Sequence, residues 1–298
     1  MTLEIGALRF AHFEAEASWA AGWVGPGLCI PFVDCDLREK YDKARPSWFL
    51  NWPKRGLEFP RRRYVDGSIN IPMYAEYAEA VLDFAMERDT IANGYDLLNS
   101  WAIKRNDVNG AVEYAGLKAN RLVLSASATE PELMASVEMI GKSATDAVQF
   151  SRGALPVGLP YLLNGADITW YTDDLECQVQ NIEVTVENNL QLGEGPLDDD
   201  YRMCHLIGGF EYVSFNVTML FDSVANRTRL RAQSEGSLVI SFTNGTTSPQ
   251  STLTITIPKF TLDEIPEDLD PEGITAENIP VTAVANASGD QITYSVTP

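Results

Sequence analysis

The chain has very few of the side chains that transfer protons at neutral pH. Among its 298 residues only His12 and His205 are histidines, and neither lies in a recognisable motif. The serine-hydrolase, zinc-peptidase, Walker and dinucleotide-binding motifs are all missing from the sequence. A carbohydrate hydrolase that works through two carboxylates is the enzyme class left open, but no acid pair stands out. We therefore predict that the chain is not an enzyme.

Long apolar runs are also missing, which bears on the compartment of the protein. No stretch approaches the roughly 20 apolar residues that span a bilayer. The start, MTLEIGALRFAHFEAEA, carries acids where a signal peptide carries basic and then apolar residues. These features predict a protein that is made in the cytoplasm and has no membrane partner.

Metal-binding spacings are absent as well. Cys29, Cys35, Cys177 and Cys204 are scattered, and CIPFVDC lacks the spacing of a zinc knuckle. The acidic runs DEIPEDLDPEG and GEGPLDDD lack the ligand pattern of a calcium loop, so solvated loops explain them better. We predict no metal and no cofactor.

Positive charge is scarce, and its distribution is uneven. The chain has 42 acidic and 22 basic residues, a net charge of −20, and most of the imbalance falls after residue 150. So acidic a protein repels nucleic acid on average. One basic cluster, PKRGLEFPRRRYVDG, is the exception. We predict that this basic region meets the acidic second half of a neighbouring copy, although solvated arginines are an equally good explanation. The contact residues expected between copies are Trp48, Trp52, Arg61, Arg62, Arg63, Asp198, Asp199 and Asp200.

What the sequence does have in quantity is the period-2 alternation of β-strands. In residues 114–141, Leu122, Leu124, Ala126 and Ala128 share one face of a strand, and arginine, valine and serine occupy the other. After the turn at TEPE, the residues 133, 135, 137 and 139 repeat the apolar pattern. The stretch predicts an antiparallel hairpin with one apolar face and one mixed, small face.

The two halves of the chain run through a similar order of elements. Residues 64–89 predict a strand that leads into an amphipathic helix at 75–88, and residues 207–236 predict a strand and a helix at 222–233. Further strands follow each helix, and we expect each helix to bury an apolar side on its own half. The sequence predicts a tandem duplication with an N-terminal Trp/Pro-rich segment or arm at 1–60, β domains at 61–150 and 167–298, and a linker at 151–166.

A family resemblance joins these observations. The segments VDGSINIPMYAEYAEAVLDFAM, YAGLKANRLVLSASA, IEVTVENNL, IGGFEYVSFNVTMLF and ITAENIPVTAVANASGDQITYSV resemble the tail tube, or major tail, proteins of long-tailed bacteriophages and related archaeal viruses. The resemblance covers most of the chain from residue 64 onward. It implies a mainly β fold, an antiparallel β-sandwich or barrel of the tail tube type with a flanking helix, here duplicated in tandem.

The resemblance also implies a function and a set of partners. The chain is expected to be a structural virion protein that stacks as rings into a tail tube, and viral DNA passes through the tube without specific binding. Three copies with pseudo-sixfold symmetry are favoured over a ring of six. The tape measure, terminator and baseplate proteins are the other expected partners, with the virion tail as location and the host cytoplasm as place of assembly. A tail or baseplate adaptor, or another β-sandwich binding module, is the alternative.

Overall fold

The structure is a computed structural model and is mainly antiparallel β, as predicted. It describes residues 10–25, 27–44, 59–86, 98–107, 110–151, 153–154, 156, 158–174, 179–192, 202, 206, 208–220, 225–245, 250–262, 264, 267–268 and 276–297. In the first half the elements are β1 (Phe10–Ala15), β2 (Leu28–Pro31), β3 (Asp34–Cys35), β4 (Arg38–Ala44), β5 (Phe59–Pro72), α1 (Ala78–Met86), β6 (Trp101–Asp107), β7 (Gly110–Ser127), β8 (Met134–Gly141) and β9 (Ser143–Ala147). In the second half they are β10 (Leu162–Trp170), β11 (Asp173–Asp174), β12 (Val179–Glu187), β13 (Tyr212–Leu220), α2 (Ala225–Ala232), β14 (Gly236–Thr243), β15 (Thr252–Leu262), β16 (Glu267–Asp268), β17 (Ala276–Ala283) and β18 (Thr293–Thr297).

The predicted hairpin is present as β7 and β8, which pair antiparallel with Leu122 opposite Val137. The alternation holds through the pair, because the apolar positions from Leu122 to Ala126 and from Leu133 to Met139 are buried. Ala128 was expected on the same face but lies beyond the end of β7 and is exposed. The turn is closed there by Ser127, whose Oγ accepts a hydrogen bond from the backbone N–H of Glu130.

The strands of the two halves pair in the same order. In the first half β1 pairs with β2 and β6, β6 with β7, β7 with β8 and β9, and β5 with β4 and β8. In the second half β10 pairs with β11 and β14, β14 with β15, β15 with β17 and β18, and β13 with β12 and β17. Each of these pairs in the first half has its counterpart in the second, and α1 and α2 each follow corresponding strands, while the short pairs β3 with β5 and β16 with β17 are not repeated.

Among the described strands, one pairing longer than an isolated bridge joins the two halves. Strand β12 lies antiparallel to the C-terminal part of β7, with Glu187 opposite Arg121 and Asn181 opposite Ser127. As a result β4, β5, β8, β7, β12, β13, β17 and the end of β15 form one row of strands, which we call the central sheet. Strands β1, β2 and β4 lie within the predicted arm and β10 starts within the predicted linker, and the division into domains stays a prediction.

The hydrophobic core lies on one face of the central sheet. Across neighbouring strands the buried side chains fall into rows, as in Ile71, Ala135, Leu124, Val184, Phe215 and Val281. The two helices pack differently. Helix α1 buries Ala78, Val81, Leu82, Phe84 and Ala85, as expected of an amphipathic helix. In the described part of α2, Asn226 is the buried residue, and Leu230, which is only partly buried, packs against the core.

Helix α2 is also held by polar contacts, and one of them is an ion pair in which Arg229 Nη2 lies 2.6 Å from Asp173 Oδ2. The indole Nε1 of Trp170, which is buried in β10, donates to Asn226 Oδ1 over 3.1 Å. None of the described helices is both long enough and apolar enough to cross a membrane.

Asn188 binds the two halves together just after β12. Its side chain is fully buried, and its amide donates to the carbonyl oxygens of Ala85 at 2.8 Å and Ala119 at 3.0 Å. Its backbone N–H donates to the carbonyl of Asn120. One residue of the second half therefore satisfies backbone acceptors at the end of α1 and in β7.

Lys118 is a buried cation on β7, next to the register shift between Ala119 and Arg121. Its Nζ lies 3.5 Å from the carbonyl oxygen of Leu206. Burial lowers the pKa of Lys118 to about 8, and the nearby Glu16 carboxylate partly opposes this shift. The folded protein therefore holds this proton less tightly than the unfolded chain does.

We expect Asn188→Leu to lower the free energy of unfolding by about 1–3 kcal/mol, because it leaves buried carbonyl groups without their donor. Chemical denaturation at neutral pH measures the change. Asn278→Ala is the matched control, since Asn278 is exposed on β17 and its loss should change stability by less than about 0.5 kcal/mol. Equal effects of the two substitutions would contradict the role given to Asn188.

We expect the wild-type protein to gain stability relative to Lys118→Met as the pH rises from 8 to 10.5. Below pH 8 the Lys118 side chain is protonated in both the folded and the unfolded protein, and burial of this charge destabilises the folded state. Between the folded pKa of about 8 and the unfolded value of 10.5 only the unfolded chain holds it, so the stability of the folded state rises with pH. The gain should be roughly 1–3 kcal/mol, and denaturant titrations of both proteins at pH 7 and pH 10.5 measure it. If the two proteins differed in free energy of unfolding by the same amount at both pH values, the lowered pKa of Lys118 would be contradicted.

Candidate functional site

The second face of the central sheet is the candidate site, and we call it the polar face. Its side chains also lie in rows across neighbouring strands, because residues opposite each other on antiparallel strands point to the same side. The rows are Ser68, Glu138, Arg121, Glu187 and Tyr212; then Asn70, Ser136, Val123, Thr185, Ser214 and Thr282; then Met134, Ser125, Glu183, Asn216 and Pro280; and finally Ser127, Asn181, Thr218 and Asn278.

The polar face consists mostly of short hydroxyl and amide side chains. Such residues present hydrogen-bonding groups without large apolar patches, which suits a surface in contact with water. The alternation that buries Val184 and Val186 in the core places Glu183 and Glu187 on this face. A single strand pattern therefore builds the core and the polar face at once.

The charges on the polar face are mainly negative. Arg121 lies between two carboxylates, with its Nη1 3.7 Å from Glu138 Oε1 and its Nε 3.5 Å from Glu187 Oε1. All three side chains are more than one-third exposed, so these ion pairs contribute little to stability. Glu183 adds a further carboxylate, which leaves the rows acidic overall.

An open groove of about 340 Å³ lies at one edge of the polar face. Glu183, Asn216 and Tyr212 line it from β12 and β13, and Glu264 lines it from the segment after β15. Glu264 is exposed. The carboxylates of Glu183 and Glu264 therefore extend the acidic character of the face to the edge strand.

The residues predicted to lie between copies have mixed outcomes. Trp48, Trp52, Asp198, Asp199 and Asp200 lie outside the described residues. Arg61, Arg62 and Arg63 lie near the start of β5, beside the edge strand β4.

Arg63 has a partner within its own chain. Its Nη2 donates to Glu39 Oε2 at 2.9 Å, and its guanidinium carbon lies 5.1 Å from the ring centre of Tyr41. Arg62 lies opposite Asp42 on β4, and Arg61 is exposed. Contacts of these arginines with a neighbouring copy stay a prediction.

A larger cavity lies elsewhere, beside β1. It has a volume of about 610 Å³, and His12, Trp23, Phe150, Glu76 and Lys104 are among the residues that line it. The ring centres of His12 and Phe150 are 4.4 Å apart, so the histidine packs among aromatic side chains. Among the described residues no three His, Cys, Asp or Glu side chains gather in a group that would hold a metal ion.

Sequence reasoning located only part of the polar face. The β7–β8 hairpin was predicted from its alternation, but the neighbours of each strand were not. The pairing of β7 with β12 joins residues far apart in the chain, which local periodicity does not report. Matching lengths and alternation in residues 121–127 and 181–187 are the signal that was available.

The comparisons with known proteins agree with this architecture. The chain matches none of the curated proteins that were compared with it. A family model described as phage tail tube protein matches residues 60–291, which is most of the chain and includes every strand from β6 to β17. The chain therefore belongs to the phage tail tube protein family, whose members are structural components of the virion tail.

Proposed function

We propose that the chain polymerises as stacked rings into the tail tube through which viral DNA passes, and that the polar face lines the bore. The single observation that carries this proposal is the continuity of the polar face over both halves of the chain. A wall of a channel needs an unbroken water-facing surface, with the core and the helices placed outside it. The central sheet has this arrangement, because its other face holds the core on which α1 packs.

The composition of the polar face suits the passage of DNA. Phosphate groups bind to lysine and arginine, whereas carboxylates repel them. On the polar face, Arg121 is held by Glu138 and Glu187, and Glu183 is a further negative charge. The hydroxyl and amide groups of such a bore bind water, and its carboxylates outnumber the cations that would bind the phosphates of DNA.

The repeated pairing order supports a ring of three chains with pseudo-sixfold symmetry. Each chain supplies two similar sets of strands, so three chains supply six similar units around the bore. A ring of six chains, each with one half at the bore, is the alternative. The tape measure, terminator and baseplate proteins are the proposed neighbours in the tail, and assembly is proposed to occur in the host cytoplasm before the tail joins the virion.

We expect the purified chain to form hollow rings and tubes with three chains per ring. Negative-stain images of concentrated protein show tubes directly, and native mass measurement of single rings gives the number of chains. Rings that never stack would indicate an adaptor instead of a tube protein. A protein that stays monomeric at all salt and protein concentrations would contradict the proposed function.

We expect assembled wild-type tubes to retain no DNA, and tubes of Glu138→Lys with Glu183→Lys to retain it in a salt-dependent manner. The two substitutions place cations on the polar face, and cations bind phosphate by displacing counterions. Filter binding of labelled DNA at about 50 and 200 mM salt measures retention.

Glu79→Lys with Asp290→Lys is the matched control for this experiment. Both residues are exposed, Glu79 on α1 at the core side of the central sheet and Asp290 in the turn before β18, and the change in net charge is the same. Equal DNA retention by the two variants would show that net charge matters and that the polar face does not line the bore.

A further inference from the structure

Among the residues that the structure describes, the pairing between β7 and β12 has no counterpart, although the other main pairings occur twice. The counterpart of β7 is β15 and that of β12 is β4, and these two strands lie at opposite edges of the central sheet. We infer that β4 of one copy pairs antiparallel with the end of β15 and with β16 of a second copy, so that the junction inside the chain is repeated between copies. This inference rests on the proposed function, since it names the lateral contact of the ring.

Both strands have an edge at which a further strand can add. Among the described strands, β4 pairs only with β5. The end of β15 pairs with β17 through Phe260, Thr261 and Leu262, while its pairing with β14 stops at Phe260. Backbone donors and acceptors at such edges favour the addition of another strand, and a closed ring removes both edges together.

The helices extend the same correspondence. Within the chain α1 lies against β18, where the hydroxyl of Tyr294 donates to the carboxylate of Asp83. The counterpart of this contact is α2 of one copy against β9 of the next. Helix α2 packs beside β15, and β9 lies beside β4. The two expected contacts therefore connect the same pair of surfaces.

The charges on these surfaces are complementary. At the internal junction the cation of Arg121 lies on the β7 side and the carboxylate of Glu187 on the β12 side. In the counterpart the signs are reversed, with Glu264 after β15 and both Arg38 and Lys40 on β4, although Lys40 also pairs with Asp66 of its own chain. Lys40 lies opposite Tyr64 just as Glu187 lies opposite Tyr212, which puts it at the corresponding position.

The second contact shows the same match of charges. Helix α2 carries Arg227 and Arg231 together with Arg229, which pairs with Asp173 of its own chain at 2.6 Å, whereas β9 carries the exposed Asp146. In one copy, the edge of β15 with Glu264 is acidic and α2 is basic. In the next copy, the facing strand β4 is basic and the facing strand β9 is acidic. A second copy of this chain satisfies all of these contacts, and opposite charges fix its register.

The test is a charge exchange between Arg38 and Glu264, both of which are exposed. We expect Arg38→Glu and Glu264→Arg, made singly, to raise the protein concentration for half-maximal ring formation by roughly tenfold or more, because each brings like charges together at the junction. The double variant restores the attraction with the signs exchanged. Its protein concentration for half-maximal ring formation should return to within about threefold of the wild-type value. Light scattering and negative-stain images measure assembly, and thermal unfolding confirms that each variant is folded.

Asp290→Arg is the matched control, because it changes an exposed acid in the turn before β18 and should assemble like the wild type. The inference is overturned if the single variants assemble like the wild type, or if the folded double variant is as impaired as the single ones. A wild-type chain that forms no rings under any condition contradicts the proposed function itself. Rings formed equally well by all variants leave the proposed function standing and place the lateral contact at other residues.

Discussion

The backbone hydrogen bonds between β7 and β12 are the constraint on which the rest of the structure depends. Because β7 is paired on both sides, its C-terminal part is an interior strand of the central sheet. The core rows and the polar rows cross it without a break. Asn188 strengthens the same place from within the core, through its bonds to α1 and β7. Without this junction the chain would have two small sheets and no continuous face.

The family and the fold class were predictable from sequence because both depend on local patterns. Alternation placed Leu122, Leu124 and Ala126 on the core side, and their burial confirms it. The strand-to-helix order was visible in both halves and corresponds to β5 with α1 and β13 with α2. The stop of β7 at Ser127 was not predictable from alternation, because a hydrogen bond in the turn decides it and leaves Ala128 exposed.

The remaining features depend on contacts between distant residues. Strand β1 pairs with β6 some 90 residues later, as shown by Ala15 opposite Trp101, and the Trp- and Pro-rich composition around it gave no sign of this. Helix α2 is held by polar contacts such as the bond from Trp170 to Asn226, which no helical periodicity encodes. Alternation likewise predicted the mixed face of the β7–β8 hairpin. The extent of the polar face depends on which strands pair, and the pairing of β7 with β12 was not predictable from alternation.

The order of the strands along the chain has a consequence for synthesis. Strand β7 is complete before the ribosome has made β12, so its edge is exposed while the second half is still being translated. The β12 strand of another nascent chain fits the edge of β7 as well as the β12 strand of the same chain does. Two chains that exchange these strands would form a swapped dimer. Pairing between distant strands is also slow. The edge of β7 therefore stays open to a second chain until its own β12 has been made.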